Sequence, residues 1–191
     1  MRKVIFQNMI SLDGFFEGNN QEIDWHVVDD VFNEYAAALP DSIDTLLFGR
    51  VTYELMAAYW PSRDALTNDP IVARMMNSFT KVVFSKTLEK VDWSNSRLVK
   101  GDPVEEVARL KQQPGKDMAL FGSADLAATL IPRGLIDEYR IFVNPVILGE
   151  GHPLFKGLKD RLILKLINAR IFHSGLVLLT YQPVENSHHD H

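Results

Sequence analysis

The sequence predicts an α/β domain: a mainly parallel central sheet, helices on both faces, and an antiparallel hairpin at the C-terminal end. Two observations carry this. Short β-branched or aromatic runs alternate with stretches of helical period along most of the 191 residues. The C-terminal part breaks that alternation, because LILKLINARIF and LVLLTYQPV flank His173-Ser174-Gly175, two extended runs around a tight turn.

In chain order, strands are expected at 4–10, 45–48, 81–85, 97–100, 118–121 and 139–144. The first helix is expected from Trp25 to Leu39. Its apolar positions Trp25, Val28, Phe32, Tyr35 and Leu39 recur at intervals of three and four, and Asp24 reads as its cap. Arg50-Val51-Thr52 looks like the first turn of another helix. Asp69-Pro70 and Asp102-Pro103 each pair a capping residue with proline at the first helical position. Ile71, Val72, Met75, Met76 and Phe79 form the apolar stripe of the former, and Val104, Val107 and Ala108 that of the latter. A last helix opens at Ser123 and ends at Gly134. No repeat or linker divides the chain, so residues 1–183 are expected to form one domain, with 184–191 a disordered His-rich tail.

Composition narrows the function classes. A formal net charge of −5 argues against a broad nucleic-acid footprint, though it leaves room for one local basic pocket. The absence of cysteine excludes disulfides, thiolate catalysis and zinc–thiolate sites. The N-terminal apolar run is broken by Gln7 and Asn8, and no stretch approaches the ~18 apolar residues of a membrane span. A soluble, cytoplasmic protein is expected.

In an open α/β sheet, ligands bind beyond the carboxyl ends of the strands. Three of the expected strands end in residues suited to phosphate: Gly49-Arg50-Val51-Thr52, Ser85-Lys86-Thr87, and Gly122-Ser123-Ala124-Asp125. Glycine admits close backbone approach, hydroxyls and helix N-termini donate hydrogen bonds, and arginine or lysine supplies charge. Two cations would favour a nucleotide carrying a 2′-phosphate. Each motif alone is equally readable as a turn and helix cap. Neither G-x-G-x-x-G nor the P-loop pattern is present.

Taken together, SLDG at 11–14, GRVTYE at 49–54, FGSADL at 121–126, GLIDEYRIFVNPVILGEG at 134–151 and HPLF at 152–155 resemble the dihydrofolate reductase-like superfamily. The likeness is to the reductase domain of bacterial riboflavin biosynthesis and its stand-alone relatives, from about residue 2 to residue 183. It implies a three-layer αβα fold and NADPH as cofactor. It implies cofactor contacts at Gly49, Arg50, Thr52, Ser85, Lys86, Gly122, Ser123 and Ala124, with Arg50 meeting the 2′-phosphate. Ser123 departs from the second glycine of the family's Gly-Gly.

On the substrate side the resemblance implies roles for Gln7, Asp13 and Trp25. Gln7 stands where riboflavin reductases carry lysine, and Val27 where they carry threonine. Asp13 reads either as a catalytic group or as half of an Asp-Gly turn. His26 reads either as a proton donor or as a hydrogen-bonded histidine, and Trp25 as pocket or core. Glu150 and His152 lie in a Gly-rich turn, which reads either as a segment reaching a ligand or simply as glycines that let the chain turn. The expectation is an NADPH-dependent reductase acting on a pterin-like or aminopyrimidine-like heterocycle. The alternative is a non-catalytic NADP-binding or assembly module that has lost its substrate site. A phosphate-ester hydrolase is a weaker third, since no nucleophile–base pair is visible. A homodimer sharing the apolar C-terminal strands is expected, with no nucleic-acid or membrane partner.

Overall fold

The structure, a computed structural model, describes residues 1–184; most of the expected His-rich tail, from residue 185 on, lies outside the described residues. Among the described residues there are ten strands in two sheets. In chain order they are β1 Val4–Ile10, β2 Phe15–Glu17, β3 Ile43–Gly49, β4 Thr80–Phe84, β5 Ser96–Val99, β6 Asp117–Phe121, β7 Glu138–Val143, β8 His152–Pro153, β9 Leu164–Ile171 and β10 Val177–Pro183. Eight of them form one sheet in the order β5-β4-β3-β6-β1-β7-β10-β9. From β5 to β7 every neighbouring pair is parallel, while β10 runs antiparallel to both β7 and β9. The β9–β10 pair is the expected C-terminal hairpin.

Alternation along the strands divides the interior. Val4 and Phe6 of β1, Leu47 of β3, and Met118 and Leu120 of β6 point to one core, together with Val107 and Leu110. Ile5, Leu46, Phe48, Val83 and Ala119 point to the other, with Tyr53, Met75 and Met76. Side chains buried on both faces are what a parallel sheet requires, and each large one contributes roughly 1.5–3 kcal/mol by leaving water. The covering helices are α1 Asp30–Ala38, α2 Arg50–Tyr59, α3 Arg63–Asn68, α4 Pro70–Ser78, α5 Pro103–Lys111 and α6 Ala124–Leu130. Helices α5 and α6 cover the first core, α1, α2 and α4 the second, which makes three layers.

Helix α1 starts later than its periodicity suggests. Asp29, not Asp24, caps it by accepting from the Phe32 amide at 2.8 Å. Upstream, the Asn144 side chain captures the Val27 amide at 2.8 Å, and His26 N–H turns back to the Ile23 carbonyl. Trp25 and Val28 are therefore off the helix. Asp69 precedes α4 as expected, but its carboxylate accepts from the Tyr59 hydroxyl at 2.6 Å instead of capping. Helix α3, capped by Ser62, and the short pair β2–β8 have no counterpart in the sequence reading.

Candidate functional site

The carboxyl ends of β3, β4 and β6 lie side by side in the sheet. They open onto a cleft of about 340 Å³ lined by six of the expected residues: Gly49, Arg50, Thr52, Ser85, Lys86 and Ser123. Gly122 and Ala124 flank Ser123 in the chain, and Ala124 is buried. Gly101 and Pro103 complete the wall from the end of β5. The reading of strand ends missed that fourth one, although LVKGDP carries the same strand–glycine–helix-start signal.

Three local devices shape the cleft. Gly49 is the N-cap of α2 with extended backbone (φ −78°, ψ 170°). Its amide donates to Ser123 Oγ at 2.8 Å, and Ser123 Oγ and N both donate to Thr52 Oγ1 at 2.9 Å. Ser123 itself is left-handed (φ 53°, ψ 57°) and makes no cap bond to its own helix. Ser123 thus carries a strained backbone and uses its hydroxyl to bind two strand ends together. At Gly122 (φ +61°) an added Cβ would meet Thr52 Cγ2 at 3.0 Å, so the turn is packed against Thr52. Ser85 Oγ accepts from the amides of Thr87 and Leu88 at 3.2 and 3.0 Å, which fixes the turn carrying Lys86.

Ser123→Ala removes the Oγ bonds and keeps the strain, and is expected to cost about 1–2 kcal/mol. Ser123→Gly loses the same bonds but relieves the left-handed backbone, worth roughly 1 kcal/mol, and is expected to be the more stable of the two. Denaturant melts of both decide it; equal midpoints would refute the strain at this position.

The cleft's cations are available for a ligand. Arg50 Nη1 pairs with Glu54 Oε2 at 2.9 Å across one helical turn, both side chains being 47% exposed. Such a surface pair is worth about 0–1 kcal/mol, less than a charge-assisted contact to phosphate. Lys86 is exposed and makes no ion pair among the described residues.

The other expected residues do not line this cleft. Asp13 follows β1 and works as a clasp: its carboxylate accepts from the Ser11 hydroxyl at 2.6 Å and from the Leu148 and Gly149 amides at 3.1 and 2.8 Å. The Ser11 bond chiefly holds its pKa below the usual carboxylate value; desolvation opposes it, and the Gly149 and Leu148 amides add to the lowering. Gln7 Oε1 accepts from the Tyr35 hydroxyl at 2.6 Å, and Arg140 Nη1 donates to that hydroxyl at 3.2 Å. Trp25 Nε1 donates to the Glu22 carbonyl at 3.1 Å, and its ring meets His26 edge-on at 4.4 Å. Burial pushes the His26 pKa down, opposed by the Phe16 backbone and Asp24. Its Nε2 is buried without a partner among the described residues, as is Nδ2 of Asn8 on β1. His152 Nδ1 meets Glu17 Oε1 at 2.7 Å, joining β8 to β2. Among the described residues, no group of acidic or histidine side chains is arranged to hold a metal, and no helix is long and apolar enough to cross a membrane.

A mainly parallel sheet between two helical layers, with antiparallel strands at one edge, is the dihydrofolate reductase-like fold. More narrowly, residues 2–178 match the RibD C-terminal domain, and the chain belongs to that family. YyaP of Bacillus subtilis (strain 168), itself uncharacterized, is 39% identical over 182 residues, or 94% of each chain. The crystal structure of a Shewanella sp. PV-4 protein named for riboflavin biosynthesis superposes with a TM-score of 0.74 at 26% identity, covering 95% of this chain and 99% of the other. Dihydrofolate reductase from Enterococcus faecalis, complexed with NADP(H) and RAB-propyl, superposes with a TM-score of 0.64 at 15% identity, covering 95% and 96%. At that identity the likeness concerns the fold.

Proposed function

We propose that the chain is an NADPH-dependent reductase that delivers hydride to a polarised C=N or C=C bond of a pterin-like or aminopyrimidine-like heterocycle. The observation that carries this reading is the cleft, where three separate strand ends contribute Gly49, Arg50, Thr52, Ser85, Lys86 and Ser123 to one wall. The donor set fits a phosphorylated dinucleotide: two cations, hydroxyls and glycine turns in a chain whose net charge is −5. When bound, NADPH supplies the hydride. Arg50 and Lys86 hold the 2′-phosphate, and Thr52 and Ser123 fix the turns that face the pyrophosphate.

On the substrate side, Asp13 is committed as an anion to a hydroxyl and two amides, so its role is to orient the SLDG loop. That leaves His26 or water to deliver the proton. Burial disfavours the charged form of His26, so its contribution as a proton donor grows as pH falls. The test is oxidation of NADPH, followed at its nicotinamide absorbance, in the presence of dihydropterins and aminopyrimidine ribosyl phosphates. Turnover with a member of either set supports the reading. Binding of NADPH without turnover of any would move it to the non-catalytic NADP-binding module.

The same reading includes a homodimer. Strand β9 is an edge strand, paired on one side by β10, and exposes Leu166, Ile167 and Ile171. An open apolar edge favours pairing with another chain. Sedimentation of the wild type as a dimer, and of Ile167→Lys as a monomer, is expected. A monomeric wild type would refute the shared edge.

A further inference from the structure

A second cavity, of about 350 Å³, lies at the opposite rim of the sheet, where β3, β4 and β5 begin. Three guanidiniums line it, those of Arg2, Arg97 and Arg109. Two carboxylates hold them. Asp44 pairs with Arg2, which also donates to Thr45 Oγ1 at 2.7 Å. Glu106 accepts from Arg109 Nε and Nη2 at 2.9 and 2.7 Å, and pairs with Arg97 through Nη2. The hydrogen bond from Arg109, with desolvation opposing and Arg97 adding, holds the Glu106 carboxyl down to about 2, so this bridge stays ionised at any physiological pH.

The arginines are not used up by these pairs. Among the described residues, Arg97 keeps Nε and Nη1, and Arg2 and Arg109 each keep Nη1, without a hydrogen-bond partner. Guanidinium N–H groups held in a planar fork suit planar or tetrahedral oxyanions. Three cations against two carboxylates leave one net positive charge at the mouth. The C-terminal end of α5 opposes an anion with about half a charge, which reduces that excess without cancelling it. Gln113 and Thr80 add neutral donors to the wall.

We infer that this cavity is a second anion site, separate from the cofactor cleft, that takes a phosphate group, free or as a phosphate monoester. Helix α5 joins the two sites: Pro103 at its start lines the cleft, and Arg109 near its end lines the cavity. The inference stands on the arginine cavity and does not rest on the reductase reading.

The test uses the full chain labelled with ¹⁵N, in the Arg50→Ala background to weaken phosphate binding at the cleft. Inorganic phosphate and ribose 5-phosphate are titrated separately, and amide shifts are followed at Thr80, Arg97 and Gln113. Saturable shifts at these residues are expected with at least one probe; the tighter of the two tells a free phosphate from a monoester. Arg97→Gln is expected to weaken binding about tenfold, as loss of a charge-assisted contact does. Arg97→Lys keeps the charge without the fork and is expected to fall between. No shift at these residues up to about 10 mM, the range of a site worth less than ~3 kcal/mol, overturns the inference. So do shifts that Arg97→Gln leaves unchanged in a variant whose spectrum is otherwise folded.

Discussion

Arg50→Ala is expected to weaken NADPH binding by about 10- to 100-fold while leaving NADH binding within about twofold, because a charge-assisted contact is worth roughly 1.5–3 kcal/mol. Glu54 sets the cost of freeing the guanidinium. In the structure Arg50 shares an exposed ion pair with it. Releasing that pair costs no more than about 1 kcal/mol, so the guanidinium can turn to a 2′-phosphate at a net gain. Glu54→Gln is then expected to leave NADPH binding unchanged or slightly tighter, since it removes the competitor. Paired titrations of wild type and both variants with the two nucleotides decide it. Equal affinity of the wild type for NADPH and NADH would refute the assignment of Arg50 to the 2′-phosphate.

The largest effect on stability is expected at Lys81, which has no exposed surface although it carries an ammonium group. Its Nζ donates to the carbonyls of Met76 at 3.0 Å, Asn77 at 3.2 Å and Phe79 at 2.8 Å. They lie at the end of α4, where carbonyls lack intrahelical partners; that of Asn77 also accepts from Asn95 Nδ2 at 3.0 Å. Nζ also stands 4.3 Å from the centre of the Trp93 ring. Lys81→Ala leaves a cavity and takes the Nζ donor from the Met76 and Phe79 carbonyls, and is expected to cost about 3–5 kcal/mol. Lys81→Met keeps most of the volume and is expected to cost less.

Burial lowers the Lys81 pKa from its ordinary 10.5 to about 8. The unfolded chain therefore binds this proton more tightly than the folded one. The cost of burying the charge is present in full below about pH 8 and is relieved as pH rises from about 8 toward 10.5. The stability gap between wild type and Lys81→Met, measured by urea unfolding at several pH values, is expected to shift in favour of wild type across that window. A gap that does not change with pH would argue against the lowered value.

The alternating strands and helices were legible because a sheet covered on both faces imposes long apolar strand runs, and Asp-Pro at a helix start is a local signal. Helix α1 was misplaced at its start because Trp25 and Val28 continue the right spacing; what stops the helix is Asn144, more than a hundred residues away, capturing the Val27 amide. The cleft was legible for a geometric reason. Strand order puts the ends of β3, β4 and β6 together, and each end carries its own short motif. The other side was not, since the partners of Gln7 and Asp13 come from Tyr35 and from Leu148 and Gly149, and no local pattern announces them. Ser123 was visible as a departure from glycine, but its bond to the Gly49 amide depends on two strands lying next to each other.

The Asp13 clasp also sets an order of events. It joins segments about 135 positions apart in the chain, and the β2–β8 pairing and the Glu17–His152 contact bridge the same gap. Such contacts have to wait until β1 and β7 are side by side, since closing a loop that long is entropically costly before the sheet holds its ends. They are also few and close to solvent. The SLDG segment and the 146–154 segment therefore form one cooperative unit that assembles late and opens first. Their amides are expected to exchange with deuterium together, and ahead of those in β1, β3 and β6.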